Sequence, residues 1–507
     1  MIRQLSTRDV GPSRALDFEF APRLNILTGD NGLGKTFVLD VIWWLLTGSW
    51  ARGKAYPWRP GSMDKDAHNT IHPAIHALLT ASPEKPGAPQ VVTGGLWNWP
   101  RQEWLSPAEA REVPDDSWLR MPTQVKLLGT EPSRNLAMMH FHHASLVVYA
   151  RLDGTYATWD PNLTTRLGTD LSEGATVLTS AELWNGREVE DERRPGASRT
   201  EIRGLISDWA TWQQRPDSRE MALLSTLLKV LSPPDEPLLP GKLTRVDLRD
   251  RRDIPTLETR FSEIPVTLAS AGMARVLSLA YLLTWAWTEH TRTAELTHRP
   301  TARHMVVLLD EPELHLHPSW QRGILPSILK TAELIDSNIE VQLITTTHSP
   351  LVMASVESFY DEEVDNLFIL ERGGKAIRVE PHRFGKEGDV SSWLSSEVFG
   401  AVGGRSREAQ LALEAAGHFM ADRHEEAEAA LEGLHGLLQA LPAARWSEAA
   451  VSSNLPEILS ESGTPPAPLL ERIHRALTFV LPGHDEFWAH WSLVYRPSDK
   501  APQEKTR

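Results

Sequence analysis

The chain has 507 residues, a formal net charge of −15, 41% hydrophobic and 23% charged residues, and no cysteine. That length predicts roughly two to four domains with at least one sizeable core. The missing cysteines exclude disulfides, thiolate catalysis and cysteine-ligated zinc, and the acidic surface as a whole repels nucleic acid, so any DNA contact needs a local patch or a partner. The opening MIRQLSTRDV has no apolar signal core, and the longest uncharged apolar run, Val276 to Trp287, is too short to cross a bilayer. A soluble cytoplasmic protein with no membrane contact is expected.

The first elements in chain order are a strand-length apolar run, Leu24 to Thr28, and an apolar stretch fit for a buried helix, Phe37 to Leu46. Between them GDNGLGKT fits G-x4-G-K-[ST] through Gly29, Gly34, Lys35 and Thr36. Glycines let successive backbone N–H groups curl round phosphates, and the following helix aims its positive end at them. The candidate nucleoside triphosphate contacts are therefore Asn31, Gly32, Gly34, Lys35, Thr36 and Phe37. Lys35 would reach the β- and γ-phosphates as a catalytic charge, and the Thr36 hydroxyl would bind Mg²⁺.

Residues 51–235 carry prolines throughout, β-rich pieces such as ASLVVYARLDGTYATW, and one helical region from Thr200 to Val230. They lack the sustained heptads of a coiled coil, so a compact inserted lobe is expected. His140, His142 and His143 have neither an acidic partner nor helical spacing and read as strand or turn packing. The tryptophans read as core and interface anchors. KLTRVDLRDRR, from Lys242 to Arg252, sets five basic residues against two aspartates and reads as a solvated, charge-mixed strand ahead of a DNA patch.

Met305 to Leu309 is a buried-strand run ending in Asp310 and Glu311. Asp310 at that strand end would hold Mg²⁺, and Glu311 would orient or deprotonate the attacking water. VQLITTTHSP is a second apolar strand, ending in His348, 38 positions after Asp310 (348 − 310). That distance is one strand–helix–strand unit and suits a γ-phosphate sensor and catalytic group.

GDNGLGKT, LLDEPELHLHP and TTTHSP together resemble the ABC-type ATPase heads of SMC, RecF and OLD-like proteins. The resemblance implies a signature at a helix start, supplied by Ser270 and Gly272 in LASAGMARVLSLAYLL, that docks on the γ-phosphate bound by a second subunit. It also implies a head-to-head homo-oligomer with ATP and Mg²⁺ as cofactors, and it places His315 and His317 near the dimer seam. The glutamine loop of such heads is unplaced, with Gln102 and Gln124 as candidates. OLD-type enzymes add a nuclease domain marked by strand-end carboxylates, which residues 365–400 do not offer.

ASAGMARVLSLAYLLTWAWTEH, LISDWATWQ and WLSSEVFG resemble anti-phage defence ATPases of the Septu (PtuA-like) type and their retron-associated relatives. That resemblance implies a separate HNH-type nuclease subunit under nucleotide control, with nucleic acid reached through the complex or the local basic patch. The alternative is a RecF-like DNA-repair or end-processing ATPase that binds DNA directly, which a steep salt slope in DNA binding would reveal. A transporter ATPase subunit is disfavoured by the SAGM signature and the HLHP continuation.

After about residue 380 a helical texture begins, with Ala427, Leu431, Leu434, Leu438 and Leu441 in one apolar stripe and Phe487, Trp488 and Trp491 near the end. A cap on the head and a partner-docking surface both fit it. The expected architecture is α/β: a P-loop ABC-type ATPase domain over 1–380, and a mostly helical C-terminal domain over 381–507. The head is discontinuous, roughly 1–50 and 236–380, with a large mixed α/β insertion at 51–235.

Overall fold

The computed structural model describes residues 1–56, 74–80, 90–98, 103–105, 145–163, 174–191, 194, 196–259, 262–373, 376–396, 398–399, 407–440, 469, 472–473 and 476–477. Met1–Trp393 forms one compact unit and Leu394–Arg507 another. Gln102, Gln124, the HFHH histidines, Leu441 and the aromatic cluster at 487–491 lie outside the described residues.

In the first unit, β1 (Ile2–Val10) and β2 (Ser13–Glu19) pair as a hairpin, and β3 (Leu24–Gly29) leads through the glycine loop into α1 (Lys35–Thr47). β4 (Ala74–Thr80), β5 (Gln90–Asn98) and β6 (Glu103–Leu105) extend the hairpin into an antiparallel sheet of order β2-β1-β4-β5-β6. Next come β7 (Ser145–Ala150), β8 (Thr155–Trp159), β9 (Ala175–Thr179) and α2 (Ser180–Asn185). A β10 (Arg187–Glu190) and β11 (Ser198–Ile202) ribbon precedes α3 (Leu205–Gln214) and α4 (Arg219–Leu231).

A small sheet of β12 (Leu239–Thr244), β13 (Ile254–Glu258) and β14 (Glu263–Pro265) feeds the 27-residue α5 (Ala271–Thr297). The unit continues with β15 (His304–Asp310), α6 (Pro318–Gln321), α7 (Ile324–Ile335), β16 (Glu340–Thr346), α8 (Pro350–Val356), β17 (Asp365–Gly373) and β18 (Ala376–His382).

The main sheet has the order β18-β17-β3-β16-β15-β7-β8-β9. Its five central strands, β17, β3, β16, β15 and β7, run parallel, so their carboxyl ends gather on one edge. Ligands of open α/β sheets bind outside such an edge. β15 is buried at six consecutive positions, Met305–Asp310, as a parallel strand covered on both faces must be. One core joins β1 and β2, α1 and the main sheet. Trp43 of α1 is fully buried in it, 6.0 Å from the Tyr149 ring of β7. Burying each Leu, Ile or Val of α1 contributes about 1.5–3 kcal/mol, which holds the helix whatever its intrinsic propensity.

The inserted lobe is smaller than the sequence reading puts it. Residues 145–159, placed in the insertion, are strands of the head's own sheet, with β7 paired to β15 along its whole length. The physical reason is the run SLVVYA, buried at every position like β15 itself. The helical region at 200–230 is two helices, broken where Pro216 removes a backbone donor and Asp217 turns left-handed (φ 54). Lys242–Arg252 is a strand only as far as Thr244 and an exposed loop beyond it.

The head unit also continues past residue 380, because Phe384 stacks on Tyr360 at 4.0 Å and packs on buried Trp393. The second unit contains the hairpin α9 (Arg407–Met420) and α10 (His424–Ala440). Ala427, Leu431 and Leu434 of the predicted stripe are buried there with Leu469, Ile473 and Leu477. Among the described residues, no helix is long and apolar enough to cross a membrane.

Candidate nucleotide-binding site

β3 runs into a loop whose glycines adopt conformations that other residues avoid. Gly29 sits at φ 128, and a Cβ there would lie 2.2 Å from the Leu370 carbonyl oxygen of β17. Gly34, the residue before α1, sits at φ 89 against Pro12, with no side chain capping the helix. The first N–H groups of α1 therefore stay free for an anion. The Lys35 ammonium folds back over the loop and donates to the carbonyls of Gly29 (2.8 Å) and Asp30 (2.9 Å). Burial lowers its pKa against the opposing pull of Glu311, Asp310 and Asp30. Asn31 and Gly32 are exposed at the loop tip. Phe37 turns its ring towards Gly11, beside a cleft of about 360 Å³ also lined by Trp50 and Lys54.

The second half of the site arrives from β15. The Thr36 hydroxyl donates to the Asp310 carboxylate at 2.9 and 3.1 Å, joining segments 274 residues apart. Thr346 of β16 donates to the same carboxylate at 2.8 Å. Asp310 is 1% exposed. Its backbone carbonyl accepts from Arg275 of α5 (3.1 Å), whose other nitrogen donates to the Arg151 carbonyl (2.9 Å). Arg151 pairs with Asp40 of α1, which also accepts from the Tyr149 hydroxyl (2.9 Å). This polar network ties α1, β7, α5 and β15 together directly behind the loop.

Glu311 follows Asp310 in a left-handed conformation (φ 45), with its N–H donating to Thr346 Oγ1 at 2.9 Å. Its carboxylate lies 3.3 Å from Nε2 of His348. Burial, and then the neighbouring Asp310 charge, raises the Glu311 pKa. Burial and the Lys35 charge lower that of His348, which favours a neutral imidazole beside a carboxyl suited to taking a proton. Glu313, two positions on, accepts from the Thr347 hydroxyl and the His348 N–H.

Lys35, Thr36, Asp310, Glu311 and His348 thus meet at the carboxyl edge of the parallel strands. Among the described residues, no hydrogen bond joins Ser270 or Gly272 to them. Ser270 caps α5 by accepting from the Met273 N–H and is exposed. Gly272 backs onto the loop after β15, where a Cβ would lie 2.8 Å from the His315 carbonyl. His315 and His317 are exposed on that loop, and His317 caps α6. Among the described residues, no group of three or more His, Cys, Asp or Glu could hold a metal.

Magnesium needs less than such a cluster, since it keeps several waters and takes one or two protein oxygens plus phosphates. The adjacent Thr36 hydroxyl and Asp310 carboxylate fit that donor set. Arg275, Arg151, Asp40, Glu313 and Thr346 join the site without being expected from the sequence. The second glutamate of DEPE was the one visible signal among them.

Fold and site together are those of a P-loop nucleotide-binding domain, with a glycine loop after β3 and the Asp310–Glu311 pair at the end of β15. Residues 187–354 match the family described as "AAA domain, putative AbiEii toxin, Type IV TA system", and residues 4–70 match one described as "AAA domain". The chain is similar to "Retron Ec83 probable ATPase" of Escherichia coli, 37% identical over 94 residues, which is 18% of this chain and 14% of that protein. It is also similar to "Retron Vc95 probable ATPase" of Vibrio cholerae serotype O1 biovar El Tor, 36% identical over 81 residues, 16% of this chain and 14% of that protein. The chain therefore spans only 14% of the length of these curated relatives. Among solved structures, the "SMC head domain from Thermotoga maritima" aligns with 75% of this chain and 99% of its own at 13% identity and a TM-score of 0.34.

Proposed function

We propose that this chain binds and hydrolyses ATP at the Lys35–Thr36–Asp310 site, and that its nucleotide state controls a separate nuclease in a bacterial anti-phage defence complex. The observation that carries the ATPase reading is the hydrogen bond from Thr36 to Asp310, because it joins the two halves of a phosphate site from opposite ends of the head. Lys35 exchanges its loop carbonyls for the β- and γ-phosphates. Thr36 and Asp310 would hold Mg²⁺, which neutralises phosphate charge when bound. Glu311 takes the proton of the attacking water, and His348 orients Glu311 and contacts the γ-phosphate.

Ser270 and Gly272 of a second copy close the site from outside. The exposed Ser270 hydroxyl supports that reading. Similarity to two retron ATPases supports the defence setting, with an HNH-type nuclease as effector and nucleic acid reached through the complex or the local basic patch at Lys242–Arg252. Such a complex would work in the cytoplasm.

The test is ATP turnover by the purified chain and its Glu311→Gln variant. Loss of the base slows hydrolysis by about 10²–10⁴-fold while ATP binding is retained. Equal rates would overturn the assignment.

A further inference from the structure

We propose that Glu313 is a positioning residue of this site: its buried carboxyl ties the loop carrying Glu311 to the loop carrying His348 and sets the separation of those two side chains. The proposal rests on the ATPase reading above. Glu313 is 7% exposed. Its Oε1 accepts from the Thr347 hydroxyl at 2.6 Å and from the His348 backbone N–H at 3.0 Å. Thr347 Oγ1 in turn accepts from the Ser349 N–H at 3.1 Å. One oxygen therefore organises three consecutive residues beyond the end of β16. A second tie runs between the same loops, from the Ser349 hydroxyl to Gln321 Oε1 (2.7 Å) and from the Gln321 amide to the Leu316 carbonyl (3.1 Å).

The loop after β15 needs holding. Glu311 (φ 45) and His315 (φ 66) are left-handed without being glycine, a conformation that persists only where the surroundings enforce it. The His348 ring hangs from the backbone that Glu313 grips and meets Glu311 at 3.3 Å. General acid–base chemistry needs its groups within hydrogen-bond reach, and a misplacement of about 1 Å can cost about 10²-fold. Only one carboxyl oxygen takes part: Oε1 accepts both donors of the His348 loop, while Oε2 is buried without a hydrogen bond.

The experiment measures kcat, KM and ATP affinity for the full chain with Mg²⁺ in four forms: wild type, Glu313→Gln, Glu313→Ala and Thr347→Val. Gln keeps an acceptor for both donors, Ala removes it, and Val removes one donor while keeping the shape. Glu313→Gln should stay within about threefold of wild-type kcat. Glu313→Ala should lose about 10²-fold and Thr347→Val about tenfold, the worth of one hydrogen bond. ATP affinity should hold throughout.

Wild-type kcat in Glu313→Ala or Thr347→Val, a loss carried by weakened ATP affinity, or a Gln variant as slow as Ala would each overturn the proposal. If Glu313→Ala does not fold, the other two variants decide. A wild-type chain that neither binds nor turns over ATP overturns the ATPase reading and this proposal with it. An active wild type beside a fully active Glu313→Ala overturns the proposal alone.

Discussion

Asp310 takes hydroxyl hydrogen bonds from Thr36 and Thr346, while Glu311 beside it reaches His348, so adjacent carboxylates face different elements and different tasks. Asp208 of α3 is also buried. It accepts from the Tyr281 hydroxyl at 2.8 Å, and burial raises its pKa above the ordinary 3.8 despite that hydrogen bond. A folded value above the unfolded one means that its stabilising contribution is complete below about pH 3.8 and is lost as pH rises through the folded value. Asp208→Asn keeps an acceptor for Tyr281 and removes that loss. Thermal unfolding should therefore show the variant gaining on wild type by about 2 °C between acid and neutral pH, and a gap that narrows as pH rises would contradict this. At this scale, the segments that meet in the site were legible, since each is a contiguous strand-and-loop pattern. Arg275 and Thr346 were not. Their importance comes from contacts between segments far apart in the chain, and a lone arginine or threonine carries no local trace of its partner.

Among the elements, β7 shows how a sheet can recruit a strand from within what reads as an insertion. Its apolar run announced a buried strand, but no residue of SLVVYA says which sheet it joins. That is decided by pairing with β15 and by the Arg151–Asp40 ion pair that fastens its end to α1. The Arg151 side chain is only 7% exposed. Removing one member of a buried pair leaves the other charge uncompensated. Arg151→Ala should therefore destabilise the head by about 3 kcal/mol in urea unfolding, and adding Asp40→Asn should recover part of the loss. A change below about 0.5 kcal/mol would match a surface ion pair and count against this anchoring. The split of the 200–230 helix was readable in Pro216, whose effect the surrounding apolar pattern masked.

For the whole molecule, the head and the helical second unit were both legible as classes, from motif spacing and from the alanine and leucine stripe now buried between α9 and α10. The boundaries were not. Aromatic packing of Phe384 on Tyr360 and Trp393 keeps residues past 380 in the head, and such contacts leave no compositional mark. The proposed activity depends on Lys35 and Thr36 sharing one magnesium-assisted phosphate site with Asp310. Calorimetric titration of ATP into wild type, Lys35→Ala and Asp310→Asn, each with Mg²⁺ and with chelator, tests this most directly. Wild type should bind more tightly with Mg²⁺, Lys35→Ala should weaken by about 10–100-fold through loss of a charge-assisted contact, and Asp310→Asn should bind equally with and without the ion. Wild-type affinity and an intact magnesium effect in both variants would rule out that shared site.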